Sequence, residues 1–334
     1  MRNEMRWEAV LIYHNIIRKA MTALAVAFLF VPVVAQEEGE TVVPIEYGDM
    51  EQWVTRKIHE SAIIGGNTKT LYELGPTQEI DGNKAYVSLG GSPWGNSNVM
   101  AKVMGVVKTN VSVYPEERDG GLCARLETHI EKVKVLGLIN ITVLASGSLF
   151  LGDMKEPITG TKEGEKAFNA GVPFTGRPKA VRFDYKTKMS GEANRIHQMM
   201  NKKTVVPGQD CCIMTLILQN RTEDAKGNII AKRVGTACIK YDKTEDWHNG
   251  ATYEIHYGDI SHTDYYDEEL MMLGVGNYHA RNSKEESKLI DEIGWADPND
   301  TPTHLLIQFT SSLGGAFIGS PGNMMWVDNV ELVY

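Results

Sequence analysis

Met324-Met325-Trp326-Val327-Asp328-Asn329-Val330-Glu331-Leu332-Val333-Tyr334 closes the chain, and its pattern decides the fold class. Apolar residues stand at Met325 and Val327, then at Val330 and Leu332. That is the period of two of a strand with one buried face, broken by a change of parity at Asp328-Asn329. A strand changes parity by gaining a residue, so a β-bulge is expected there, and it aims Asp328 where a regular strand would not. A candidate partner lies far upstream in Gly48-Asp49-Met50-Glu51-Gln52-Trp53. A first and a last strand that meet describe a closed all-β domain.

The rest of the chain agrees with that reading. Leu122, Ala124, Leu126, Thr128 and Ile130 share one parity, and Cys123, Arg125, Glu127 and His129 share the other. Val181, Phe183 and Tyr185 alternate in the same way, as do Leu305, Ile307 and Phe309. Shorter strand-like runs fill 69–74, 85–89, 99–107, 110–114, 139–144 and 147–151. Residues 53–64 fit a strand or a short helix. Residues 153–176 and 187–208 are polar and loop-like. One stretch fits a helix. Ser283 stands as N-cap with Glu286 three residues later, ahead of Leu289 and Ile290, so a helix is expected over 283–292. A dozen short strands with Gly-rich connections and one short late helix predict a two-sheet antiparallel jelly-roll sandwich.

Composition bounds the function. The chain has 334 residues, 42% hydrophobic and 23% charged, enough for a large core. Arg18-Lys19 followed by an apolar run to Val33-Val34-Ala35 has the form of a secretory signal, cleaved after Ala35. The run is shorter than the ~20 residues that span a membrane. Residues 36–44 then read as an acidic linker and residues 45–334 as a single domain. Removing the four basic and two acidic residues of positions 1–35 moves the net charge from −9 to −11. An acidic surface disfavours nucleic acid and anionic membranes. It suits a neutral partner such as a polysaccharide, or a cation. A secreted chain is expected in the periplasm or at the cell surface.

The four cysteines are Cys123, Cys211, Cys212 and Cys238. A hairpin centred between Asp224 and Ala225 sets Cys211 opposite Cys238, within disulfide reach. Buried free thiols are the other reading. No CxxC pair is present, and P-loop, GxSxG, HExxH and EF-hand motifs are absent from the sequence.

Four runs in order carry a family resemblance. They are Gly121-Leu122-Cys123-Ala124-Arg125-Leu126-Glu127-Thr128; Gly147-Ser148-Leu149-Phe150-Leu151-Gly152; Phe174 through Arg177-Pro178 to Phe183-Asp184-Tyr185-Lys186; and Ile307-Gln308-Phe309-Thr310-Ser311-Ser312 through Gly319-Ser320 to Met325–Leu332. Together they resemble the putative carbohydrate metabolism domain, found on secreted and surface proteins of gut Bacteroidetes, over roughly residues 110–334. The resemblance implies a β-jelly-roll related in shape to carbohydrate-binding modules. Several such jelly rolls hold a structural calcium between first and last strands. By that likeness Glu51 and Asp328 are candidate Ca²⁺ ligands, against plain hydrogen bonding to backbone amides. No other cofactor is expected.

The remaining candidates come from the residues themselves. Trp94 sits in a loop with Asn96, Ser97 and Asn98. An exposed indole would offer its face to a pyranose, with amides for its hydroxyls; the alternative is a Trp plugging the end of the sandwich. Tyr265 and Tyr266, beside Asp264 and Asp267, form a second patch of this kind. Arg125, Glu127 and Asp184 would line a groove if their face is concave; cross-strand ion pairing is the other reading. Glu127 and Asp184 are also the candidate catalytic carboxylates, with Asp210 and Glu254 as further acids near strands. The leading expectation is a non-catalytic glycan-binding accessory protein. A glycoside hydrolase with a carboxylate pair on the concave face is the alternative, and a surface protein docking a protein partner is the third reading.

Overall fold

The computed structural model describes residues 40–86, 88, 91–135 and 139–334. The expected signal sequence and residues 36–39 of the expected linker lie outside the described residues. Within them the chain is nearly all β, built from several mostly antiparallel sheets.

Two sheets face each other. The first runs, from edge to edge, through Glu245–Glu254, Ala180–Lys188, Met324–Val333, Gly121–Glu127 and Val113–Arg118. The second is centred on Ser148–Met154, His304–Thr310, Cys212–Glu223 and Ile229–Tyr241. Their facing side chains interdigitate. Phe183 meets Phe309 edge-on at 5.0 Å between ring centres. Met325, Val327, Val330 and Leu332 join Met214, Leu216, Leu305 and Ile307 in one buried core.

The closing strand sits in the middle of its sheet. Arg182 pairs with Glu331 and Asp184 with Asp328, so an extra residue lies between them, and Asn329 takes a φ of 51°. This is the bulge the parity change predicts. The upstream partner is Val42–Pro44, a few residues before the expected Gly48–Trp53 run. Gly48 still touches the closing strand, through Val330 N–H to Gly48 O at 2.8 Å. A Cβ on Gly48 would fall 2.6 Å from Val330 O, so only glycine fits. Trp53–His59 leaves the sandwich to form a separate small sheet with Thr68–Leu74 and Gln78–Asp81, followed by a 3₁₀ turn at Ala62–Ile64.

Three expectations need correction. Residues 187–208 are not all loop: Arg195–Met199 and Lys202–Val206 form a hairpin. Residues 283–292 are not a helix. Ser287–Trp295 is a strand, parallel to Ile229–Tyr241 and hairpinned to His279–Arg281. Asn282 Oδ1 accepts from both Lys284 N–H and Glu286 N–H, which shapes a turn, and the Ser283 hydroxyl donates to Glu223 instead of capping. Ile290 then packs into a satellite cluster on the outer face of the second sheet. Among the described residues the α-helices are short, at Thr161–Ala167 and Glu268–Met271. Among the described residues no helix is long and apolar enough to cross a membrane.

The disulfide is also absent. Cys238 pairs in register with Thr215, and Cys212 with Tyr241. Asp224 N–H bonds Asn228 O and Asp224 Oδ1 accepts from Lys226 N–H and Asn228 N–H, so the turn centres later than the symmetric estimate. A bulge at Leu218/Gln219 adds a further offset. All four cysteines are free and buried. Burial pushes the Cys211 and Cys123 thiols up to about 12 and that of Cys238 to about 11. We expect a thiol reagent to label none of them in the folded protein and all four in denaturant, with reductant leaving the Tm unchanged.

A buried ion cluster ties the small sheet to the sandwich. Arg56 Nη1 donates to Glu73 Oε1 at 2.8 Å, and its other amino group reaches Glu156. Burial raises the Glu73 carboxyl to about 8, with Arg56 opposing the shift and Glu156 adding to it. A carboxyl held above its unfolded value near 4.5 favours the fold fully below that value. The contribution is lost as pH rises towards 8. Glu73→Gln mimics the protonated form, so its Tm at pH 9 should exceed that of the parent by a few degrees, with little difference at pH 5. Equal Tm values at pH 9 would rule out a protonated Glu73.

Candidate functional site

The outer face of the first sheet gathers the polar residues. Across four strands, Lys186, Trp326, Arg125 and Tyr114 stand in register. Cations and rings therefore alternate: the Lys186 amine lies 5.3 Å from the Trp326 ring centre, and the Arg125 guanidinium 4.4 Å from that of Tyr114. Arg125 also pairs with Glu116 at 2.7 Å and with Glu127. For Arg125 and Glu127 the ion-pairing reading holds.

The adjacent row holds the candidate site. Asp184 and Asp328 are cross-strand partners, and the bulge turns Asp328 towards its neighbour. Both Oδ2 atoms bind the same Arg118 Nη1, at 2.8 and 2.6 Å. Asp184 Oδ1 accepts from Gly250 N–H at 2.6 Å, and its Oδ2 also accepts from Asn329 Nδ2 at 2.8 Å. Arg118 Nη2 donates to Asn249 Oδ1 at 2.7 Å, and the Trp247 ring lies over the guanidinium at 3.8 Å. Burial pushes the Asp328 carboxyl up to about 6 against the pull of Arg118, with Asp184 adding to the rise.

This contact fixes the shape of the face. Arg118 is on one edge strand and Asn249 on the other. In a flat sheet they would stand four inter-strand steps apart, roughly 19 Å, which no arginine spans. The pairing of Gly121–Glu127 with the closing strand ends at Ala124 and Val327, so the hairpin tip that carries Arg118 curls over the sheet and makes this end of the face concave. Register shifts on either side of Asp184, and the tight Asp119-Gly120 turn that carries Arg118 inward, supply the bend.

The chemistry follows from the geometry. The two Oδ2 atoms are no further apart than the sum of their bonds to Nη1, so the pair does not exceed the ~5–5.5 Å carboxyl spacing of retaining glycosidases. Yet the guanidinium occupies the space between them, where an anomeric carbon would have to sit. The half-buried indole of Trp247 roofs the cluster.

The other sequence candidates lie elsewhere. Trp94 is 1% exposed and its Nε1–H donates to Glu46 O, so it plugs the sandwich and offers no platform. Asn96 and Asn98 are buried staples: both donate to Tyr72 O, and Asn98 also holds Ser112 and Val113. Tyr265 and Tyr266 are half-buried at a separate place: the Tyr265 hydroxyl accepts from Cys238 N–H at 2.7 Å, and both rings pack against an apolar cluster away from the concave cluster. Asp210 is buried under five donors from Cys211, Ser312, Leu313, Ser320 and Asn323. Glu254 is exposed on the edge strand. Of the calcium candidates, Asp328 faces Arg118 and Glu51 accepts from Leu122 N–H. Among the described residues no three His, Cys, Asp or Glu side chains converge as a metal site.

Sequence reading missed Arg118 and Trp247. Both had signals. Asp119-Gly120 is a hairpin dipeptide that puts Arg118 at a strand end. Asp246-Trp247-His248-Asn249-Gly250 has the same polar, Gly-rich setting that drew attention to Trp94.

Comparison with known proteins bears on this site only through the family. No curated protein matches the chain significantly. A crystal structure of a putative glycoside hydrolase from Bacteroides thetaiotaomicron is 20% identical and aligns over 80% of this chain and 75% of its own, with a TM-score of 0.44. One from Bacteroides vulgatus is 15% identical over 88% of this chain and 95% of its own, with a TM-score of 0.40. A carbohydrate-binding module specific for non-crystalline cellulose is 12% identical over 74% and 90%, with a TM-score of 0.26. The sequence profile of the putative carbohydrate metabolism domain matches residues 77–333, which includes every residue of the concave cluster, and the chain belongs to that family.

Proposed function

We propose that the concave face is a glycan-binding surface and that the protein is a secreted, non-catalytic accessory of glycan use. The observation that carries this reading is Trp247, a half-buried indole laid over a guanidinium on a concave polar face. Its outer ring face suits the apolar side of a pyranose, and Asn249 and Asn329 flank it with groups for hydroxyls. The test is affinity electrophoresis of the mature chain in gels carrying hydroxyethylcellulose, xyloglucan, galactomannan, arabinoxylan or dextran. At least one should retard the parent, and Trp247→Ala should weaken that binding about tenfold or more at unchanged Tm. Equal retardation of the two proteins, or none on any gel, would reject the reading.

A hydrolase is the second reading, favoured by the Asp184–Asp328 pair and the raised Asp328 carboxyl. It requires Arg118 to leave the gap between the acids. Reducing-end release from the same polysaccharides, lost in Asp328→Asn, would establish it.

A further inference from the structure

We propose that Arg118 is the positioning residue of this platform: from the opposite edge of the sheet it fixes the Trp247 indole and Asn249 in the orientation that receives a sugar. The inference rests on the glycan-binding reading above and deepens it.

The need for such a residue comes from the strand that carries the platform. Glu245–Glu254 is an edge strand, paired among the described residues with Ala180–Lys188 alone, and most of it is exposed. Its pairing is interrupted twice, on each side of Tyr185. A Trp on such a strand has little to stop it turning, and ordering it on binding would cost rotamer entropy. Arg118 removes that freedom in advance. Its guanidinium carbon lies 3.8 Å from the ring centre while Nη2 holds Asn249, two residues along the strand.

Arg118 is itself held. Its side chain is 9% exposed, and Asp184 and Asp328 from two central strands bind Nη1. Asp184 in turn grips Gly250 N–H, so the cluster also pins the backbone beyond Trp247. The guanidinium is not saturated by structural work. Its Nε is buried with no hydrogen-bond partner among the described residues, and the nearest carboxylate there, Asp119, stands 3.8 Å away. Removing two carboxylates and a guanidinium from water is weak support for stability as such. A planar fork that stacks and bridges at once is what fixing an indole requires, and lysine cannot do both.

The test uses Arg118→Lys, which keeps the charge between the two acids, beside Trp247→Ala and the double variant. On whichever polysaccharide gel retards the parent, Arg118→Lys should weaken binding about tenfold with its Tm close to parent. In the double variant the loss should fall clearly short of the sum of the two single losses, because the lysine acts through that ring as well as through Asn249. A purely structural arginine would give additive losses. A second readout needs no ligand: acrylamide quenching of the Trp247 emission, taken as the difference from Trp247→Phe, should rise in Arg118→Lys. Unchanged quenching, unchanged affinity or additive losses would overturn the proposal. If Trp247→Ala alone leaves binding intact, the glycan-binding reading fails instead, and the positioning role falls with it.

Discussion

Replacing Arg56 by methionine should lower the stability of the fold by about 3–5 kcal/mol, a decrease in Tm of roughly 6–10 °C in a chain of this size. Arg56 is 1% exposed and stands between Glu73 and Glu156, which are 5% and 2% exposed at the side chain. Glu156 also accepts from Met100 N–H at 2.7 Å and Tyr86 N–H at 2.9 Å, so it joins the small sheet, the following loop and the sandwich at one carboxylate. Methionine fills the space and leaves that carboxylate buried without a cation. The cost is the stranded charge and not a missing contact, so Arg56→Met with Glu156→Gln should recover part of the loss. Urea melts of the three proteins decide it. A loss below about 1 kcal/mol would show that water reaches Glu156 and solvates it.

The same contrast between a group and its surroundings explains what the sequence could and could not convey. The closing strand and its bulge were legible because period-two burial leaves a direct trace, and a parity change has one physical cause. The concave pair was half legible. Asp184 and Asp328 each stood out on the polar side of a strand, but only register brings them together, and register depends on partners far along the chain. The 283–292 helix failed because Asn282 offers its side chain to the backbone at Lys284 and Glu286, and that local bond outcompetes a capping box. The cysteine bridge failed on an offset of a few residues in one turn. Exposure was least legible of all: Trp94 and Trp247 both sit among Asn and Gly, and nothing local says which is buried.

That last pair gives the second large effect. Trp94→Ala should cost about 3–5 kcal/mol, the range for emptying a buried Trp site. Its ring fills the core beside Met50, Leu149 and Leu151, and its N–H holds Glu46 O at 2.9 Å, so truncation opens a cavity and orphans a carbonyl at once. Retardation on polysaccharide gels, measured well below the lowered Tm, should nevertheless match the parent. Trp247→Ala should show the reverse, with intact stability and lost retardation, because its ring is only half-buried and packs on a guanidinium. The crossed outcome is what separates a core Trp from a binding Trp. Weak binding by well-folded Trp94→Ala would move the glycan site to the Trp94 end of the sandwich and away from the concave face. A fall in stability of several kcal/mol in Trp247→Ala would mean that the Arg118 stack serves the fold, and that the platform must be sought on another ring.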